Sequence, residues 1–328
     1  MIVCTGESLI DFVPEPRGSA TVTGGAGGDA TGGDAVDAGL PAYHPVVGGS
    51  PFNCAIAAAR LGGEVSFISA ISTDFFGDEI ARCLAADGVS DAYVRRVANP
   101  TTLAFVKRAA DGSASYAFYT NDSADRALSV ESLPQTIPDA ALLQVGSISL
   151  IPEGEGEAVA QLAEREAERR VVVFDPNIRL SVIESESGYR ARVDRILRSA
   201  TILKTSDEDL SWVYPNTDTK QAAHKALDAG VTAVVVTAGR QGSSVYTAGF
   251  AASVEAAPVQ VVDTIGAGDS FMAALLVWLD EHNVQSRVAV KDLGRNEWDS
   301  ALGFSSKVSG IVCTRKGADP PYRSELDP

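Results

Sequence analysis

Short, largely apolar runs alternate with amphipathic stretches along the second half of the chain. ALLQVGSIS, VVVFDPN, TILKTS and VTAVVVTAG read as strands. Between them EGEAVAQLAEREAERR, YRARVDRILRSA and TKQAAHKALDAG carry the helical period. DEDLSWVY opens a further helix with acids in its first turn, where the helix dipole favours them. The strands do not alternate polar with apolar, so both of their faces must be covered. That pattern predicts a largely parallel sheet with helices on both sides, whose ligands gather at the C-terminal ends of the strands.

The first half of the chain follows the same plan with one interruption. Residues 2–6 predict a first strand running into Gly6. In HPVVGGSPFNCAIAAARLGG, Ser50 reads as an N-cap with Pro51 at the first helical position, and Gly62-Gly63 as the stop. EVSFISAIS then reads as a buried strand and residues 74–87 as an amphipathic helix. Residues 101–120 alternate along two arms around Asp111-Gly112, a strong hairpin signal, and are placed outside the main sheet as part of a small lid. Residues 17–42 are rich in Gly, Ala, Asp and Thr and nearly free of large apolar groups, so they read as a mobile loop or an insertion.

Composition narrows the function classes. The chain has 328 residues, 45% hydrophobic and 21% charged, enough for a large core. A net charge of −16 argues against non-specific binding to nucleic acid or an anionic membrane surface. The cysteines, Cys4, Cys54, Cys83 and Cys313, lack CxxC spacing and read as free thiols in a reducing cytoplasm. MIVCTGESLIDF lacks a basic leader and reads as a strand, and no run has the length of a membrane span.

The chemistry concentrates in VDTIGAGDSF, residues 262–271. VQVVD is expected to end a strand, GAG to turn, and DSFMAALLVW to start a buried helix. Gly266 and Gly268 let backbone N–H groups approach an anion, and the helix N-terminus adds positive potential. There is no Lys-Ser or Lys-Thr after the glycines, so this is not a Walker A loop, and it is not a GxGxxG dinucleotide turn. Asp269 would repel a phosphate unless it serves as a general base for an attacking hydroxyl. The plain alternative is that it caps the helix, a role for which Asp is favoured.

VDTIGAGDSF resembles the second signature of the ribokinase-like, PfkB-type carbohydrate kinases, and GGSPFNCAIAAARLG resembles the first. GESLIDF, TTLAFV, DPNIR, KTSDEDL, VTAGRQGS and CTRKGADPP extend the resemblance in order along nearly the whole chain, with variants most similar to those of bacterial fructokinases. The resemblance implies one kinase domain over 1–328, a three-layer α/β/α sandwich with a small β-lid from about 12–47 and 98–122. It implies transfer of the γ-phosphate of ATP to a sugar hydroxymethyl group, first of all that of fructose, with magnesium and, in many members, a monovalent cation such as K+. Asp269 then matches the base, Gly266, Ala267 and Gly268 the oxyanion hole, and Asp11, Gly48, Gly49 and Asn53 the sugar site. Lys204, Ser206, Thr237, Gly239 and Gly242 fall on the nucleotide side, and Asp263 on the acid associated with the monovalent cation. Arg179, after VVVFDPN, could grip phosphate or sugar; the alternative is a surface arginine paired with Asp175. Family lids often pair in dimers, so a homodimer through the lid is expected.

Three features depart from the family pattern. Asp209 stands where a magnesium-organising glutamate is common, Ser306 where an asparagine is common, and the 17–42 segment is unusually rich in glycine. The readings left open are a kinase for 2-keto-3-deoxygluconate, ribose or a nucleoside, a sugar-binding sensor without turnover, and a nucleotide-dependent oxidoreductase. The last is disfavoured by the missing GxGxxG after the first strand.

Overall fold

The computed structural model describes residues 1–14, 41–108, 114–137 and 142–326. The expected loop at 17–42 and the Asp111-Gly112 turn fall wholly or mostly outside these residues. Among the described residues, nine strands form the main sheet and four form a second, smaller one.

Seven main-sheet strands are parallel: β1 (Ile2–Thr5), β4 (Val65–Ser72), β5 (Ser90–Val97), β8 (Leu142–Gly146), β9 (Val171–Asp175), β10 (Ile202–Ser206) and β11 (Ala233–Thr237). β12 (Ser243–Thr247) and β13 (Ala251–Val254) extend one edge antiparallel, giving the order β13-β12-β11-β10-β9-β8-β1-β4-β5. The period of two is visible in the core. Ile2, Cys4, Val171 and Val173 face one layer, and Val3, Val172 and Phe174 face the other. The first layer comprises α1 (Ser50–Arg60), α2 (Phe75–Ala86), α7 (Ala267–Glu281), α8 (Arg287–Asp292) and α9 (Arg295–Cys313). The second comprises α3 (Glu153–Glu166), α4 (Glu186–Ser199), α5 (Asp207–Val213) and α6 (Thr219–Ala229).

Helix α7 is the anchor of the first layer. Every residue from Ser270 to Leu279 is buried, because the helix is covered by the sheet on one side and by α1 and α9 on the others. Each large apolar side chain so buried contributes roughly 1.5–3 kcal/mol, which fixes the first turn of α7 as a rigid platform.

The smaller sheet has the order β3-β2-β6-β7, from β2 (Leu9–Pro14), β3 (Tyr43–Gly48), β6 (Thr102–Arg108) and β7 (Ala114–Tyr119). The expected hairpin is β6 and β7, antiparallel from Leu103–Tyr119 to Arg108–Ala114. β2 pairs parallel with β6 and antiparallel with β3, so this sheet stands off the body as the lid the hairpin implied.

Several local expectations are corrected. VQVVD is not a strand: β13 ends at Val254, and the segment that follows pairs only through Val262 N and Asp263 N, both donating to Cys313 O of α9. Val259, Val261 and Val262 are exposed, so their apolar run does not mark a core strand. ALLQVGSIS is a strand only to Gly146 and then tightens into a 3-10 turn over Ser147–Leu150. Helix α1 starts at Ser50 with Gly49 as its N-cap, so Ser50 is the first helical residue and Pro51 the second. Helix α7 starts at Ala267 with Gly266 as its N-cap. Asp269 is therefore inside the first turn and does not cap the helix.

Candidate active site

The strand order reverses between β8 and β1: later strands add outward on each side of this pair. Such a switch point opens a crevice at the C-terminal ends of its strands. A cavity of about 480 Å³ lies there, walled by Glu7 beyond β1, Ser147 and Ile148 beyond β8, Asn177 and Arg179 beyond β9, and Asp11, Tyr116 and Phe118 of the lid. Gly49, Ser50 and Asn53 of α1 and Gly266, Gly268 and Asp269 of α7 complete it. A second cleft, of about 740 Å³, is lined by Thr237, Gly239, Gly242, Ser243, Ser306 and the 256–261 segment. Thr264 and Gly268 belong to the walls of both, so the glycine turn is where the two spaces meet.

At that junction both oxygens of Asp269 are held. Ser50 Oγ donates to Oδ1 at 2.6 Å, and Asn53 Nδ2 donates to Oδ2 at 2.8 Å. Desolvation raises the Asp269 pKa; the Ser50 and Asn53 bonds and the Lys204 charge oppose that rise. Gly266 has φ 75°, and a methyl group there would come within 2.6 Å of Ala318 Cβ, so glycine is required. Ala267 N donates back to Thr264 O at 3.3 Å, which leaves the following first-turn amides of α7 as the free donors of the hole.

The predicted sugar-side residues converge. A Cβ on Gly48 would lie 2.3 Å from Asp11 Oδ2, and Gly49 holds φ 108° with its would-be Cβ 2.8 Å from Glu7 O. The two glycines let β3 and the start of α1 close against the Asp11 carboxylate and the Glu7 backbone carbonyl. Asp11 has its pKa raised to about 7, first by desolvation, then by the charge of Asp269, against the pull of Arg179. Arg179 donates Nη1 to Asn177 O and Ile178 O and lines the cavity. It is not Asp175's partner: Lys204 Nζ takes Asp175 Oδ2 at 2.6 Å in a buried pair.

On the nucleotide side the expectation divides. Thr237, Gly239 and Gly242 line the second cleft; Lys204 and Ser206 are not among its walls. Lys204 lies under the junction, where a methyl on Gly268 would stand 3.3 Å from its ammonium. Ser206 caps α5, its Oγ accepting from Asp209 N at 3.0 Å.

Among the described residues no three His, Cys, Asp or Glu side chains form a metal cage. That donor set suits a magnesium ion carried largely by phosphates and water, which needs only one or two protein carboxylates. Asp209, the expected carboxylate, walls neither space, and its pKa is raised to about 6 by desolvation and by Asp175; the adjacent Glu208 lies on the cavity wall. Asp263 orders its own loop: Oδ1 accepts from Thr264 N and Ile265 N, and Oδ2 from Gly317 N.

Sequence reasoning missed Glu7 and Ser50. Glu7 is buried, accepting from Ser50 N and Ser147 Oγ on Oε1 and from Ser149 Oγ on Oε2. Burial raises its pKa to about 7. Its signal was an acid directly after Gly6 at the end of β1, and Ser50 was obscured by its resemblance to an N-cap.

The model of the pfkB family carbohydrate kinases matches residues 1–325. The chain belongs to the pfkB carbohydrate kinase family. A fructokinase of Rhizobium leguminosarum bv. trifolii is 37% identical over 293 residues, covering 89% of this chain and 84% of that protein. Fructokinase-1 of Oryza sativa subsp. japonica is 34% identical over 331 residues, covering 100% and 96%. The crystal structure of a fructokinase with bound ATP from Xylella fastidiosa superposes with a TM-score of 0.85 at 28% identity, covering 99% of this chain and 96% of that one. The ribokinase-like fold and the assignment as an ATP-dependent sugar kinase stand on this family membership together with the two joined cavities. No helix among the described residues is long and apolar enough to cross a membrane.

Proposed function

We propose that the chain phosphorylates fructose at a hydroxymethyl group, with Asp269 as general base. The observation that carries the reading is Asp269 itself. It stands in the first turn of α7, where the polar cavity meets the second cleft, with both oxygens oriented by α1. The sugar lies in the cavity against Asp11, Asn53 and Arg179, whose acceptors and donors suit a polyol. Its hydroxyl gives its proton to Asp269 as the oxygen attacks phosphorus, and the first-turn amides that follow Ala267, starting with Gly268, hold the developing charge. Thr237, Gly239 and Gly242 receive the nucleotide. Lid strands β2, β6 and β7 exclude water from the cavity.

Magnesium, when bound with the phosphates, neutralises their charge, and Asp209 is the residue that would hold it through water. A monovalent cation such as K+ would sit beside the loop that Asp263 orders through its amide bonds. The outer lid face supports a homodimer: Phe12 and Phe105 stack at 4.6 Å, Tyr119 is 65% exposed, and Phe75 at the start of α2 is 73% exposed. Free thiols at all four cysteines fit a cytoplasmic setting.

The test is ADP release from ATP and magnesium with fructose, ribose, 2-keto-3-deoxygluconate, glucose and adenosine, with Asp269→Asn in parallel. Turnover on fructose above the others, lost in the variant, supports the reading. Turnover on a different acceptor removes fructose and keeps the kinase. Sugar binding without turnover would make the protein a sensor.

A further inference from the structure

The side chain that touches Asp269 most closely is itself a hydroxymethyl group. Ser50 does not cap α1, because Gly49 occupies the N-cap position and Ser50 is already helical. Its hydroxyl is therefore free of the usual duty of a serine at a helix start, and it donates to Asp269 Oδ1 at 2.6 Å. Among the described residues, Ser50 is the one hydroxyl bonded to this carboxylate; the other donor, Asn53, is an amide. Ser50 faces the same cavity as Gly266 and Gly268, and Gly268 also walls the second cleft. To the base, Ser50 stands as an acceptor alcohol stands: a primary hydroxyl, hydrogen-bonded, beside an anion hole. Being tethered, it has the high effective concentration of an intramolecular reactant.

We propose that, when no sugar occupies the cavity, Ser50 itself accepts the γ-phosphoryl group of ATP. This rests on the reading of Asp269 as the base. Ser50 Oγ forms a bond to the γ-phosphorus, the bond from that phosphorus to the β–γ bridging oxygen breaks, and ADP departs with the electron pair. The Ser50 proton passes to Asp269. Phosphoserine at the start of α1 sits in the favourable field of that helix terminus. The acids nearest it are Asp269, which takes the Ser50 proton in the transfer, and Glu7, whose Oε1 accepts from Ser50 N at 3.1 Å. Burial lifts Glu7 to about 7, so near neutrality part of the population is uncharged and opposes the phosphate less. A bound sugar blocks the event by placing its own hydroxyl on Asp269. An enzyme left with ATP and no sugar would turn itself off, and ADP would restore it by the reverse transfer.

The full-length protein is incubated with ATP and magnesium without sugar, followed by intact mass and peptide mapping. One phosphoryl group per chain at Ser50 is expected, suppressed by saturating fructose and returned to ADP as ATP on chase. Ser50→Ala and Asp269→Asn lose the label; Ser50→Thr, which keeps a hydroxyl, retains part of it. Thermal unfolding of each variant reports whether it folds. No label on the wild-type chain, label on another residue, or undiminished label in folded Asp269→Asn overturns the proposal. The sugar assay on the same preparation separates the two ideas. Fructose turnover without Ser50 label rejects self-phosphorylation alone. Label without fructose turnover upholds the base and rejects fructose. Neither label nor turnover on any sugar rejects both.

Discussion

The two spaces that meet at Gly268 are built on opposite principles. The sugar cavity draws its walls from residue 7 to residue 269, and its polar groups are bonded to one another: Glu7 to Ser50, Ser50 and Asn53 to Asp269. The second cleft comes from residues 237–313 and is walled mostly by Gly, Ala, Val, Pro, Ser and Thr, with Gln260, Phe271 and Cys313, and with Arg240 as the one charged residue among the described ones. One space is a network in which a single change leaves a buried polar group without its partner. The other is a smooth slot whose contacts are shape and backbone. Selectivity should therefore reside in the first and tolerance in the second, because unpaired polar groups discriminate far more sharply than small changes in apolar contact.

The largest break in that contrast is at the shared wall. Asp269→Asn keeps the acceptor for Ser50 but removes the base, so kcat should fall roughly 10²–10⁴-fold. ATP binding, measured by calorimetry, should barely change, because the second cleft does not depend on the carboxylate. An equal loss in ATP affinity would mean that the two spaces are one network.

Gly48→Ala should act next most strongly, and on the sugar side alone. The new methyl group would stand 2.3 Å from Asp11 Oδ2. Asp11 must then swing away from its place on the wall. Displacing one such contact raises the sugar KM by about tenfold, equivalent to about 1.4 kcal/mol, with the ATP KM unchanged. Steady-state kinetics against each substrate in turn reads both.

The same contrast decides what could be read without coordinates. The sheet was legible because its strands are continuous apolar runs, and the glycine turn because Gly266 and Gly268 have no other reason to flank an acid before a buried helix. VQVVD misled because three valines in five residues look like a strand, when their neighbours had left them exposed beside a cleft. Lys204 is expected on the nucleotide side from its place in TILKTS, yet its ammonium is paired with Asp175, which ends the adjacent strand. Pairings across strands are set by tertiary register, and no local pattern carries them. Ser50 shows the same limit: the rules put it at the helix start, though as the N-cap and so one position off, and no local pattern carried its bond to a residue 219 positions away.

The cavity network also predicts a pH response that the cleft lacks. Asp11 and Glu7 have folded pKa values of about 7, above their ordinary values of 3.8 and 4.5. Ionised Asp11 accepts hydroxyl bonds from the sugar, so kcat/KM for sugar should rise several-fold as pH climbs through about 7. Asp11→Asn should flatten that limb, with Glu7 contributing what remains. The stability sign runs the other way. A carboxyl whose folded pKa is raised contributes stability that is present below its unfolded pKa and lost as pH rises to the folded one. The Tm of the wild type should therefore decline relative to Asp11→Asn between about pH 4 and about pH 7. A constant difference in Tm across that window would show that Asp11 is not desolvated.

The smallest effect should come from the cleft. Ser306 stands on its wall, and its hydroxyl meets the Oγ of buried Ser243 at 3.4 Å, a long and weak contact. Ser306→Ala removes this weak partner and leaves no buried charge stranded. A change within ±0.5 kcal/mol, or about twofold in the ATP KM, is expected, with the sugar KM unmoved. If this substitution instead costs ATP affinity tenfold or more, the slot is a polar recognition site after all. The departure from asparagine at this position would then mark a real choice of nucleotide.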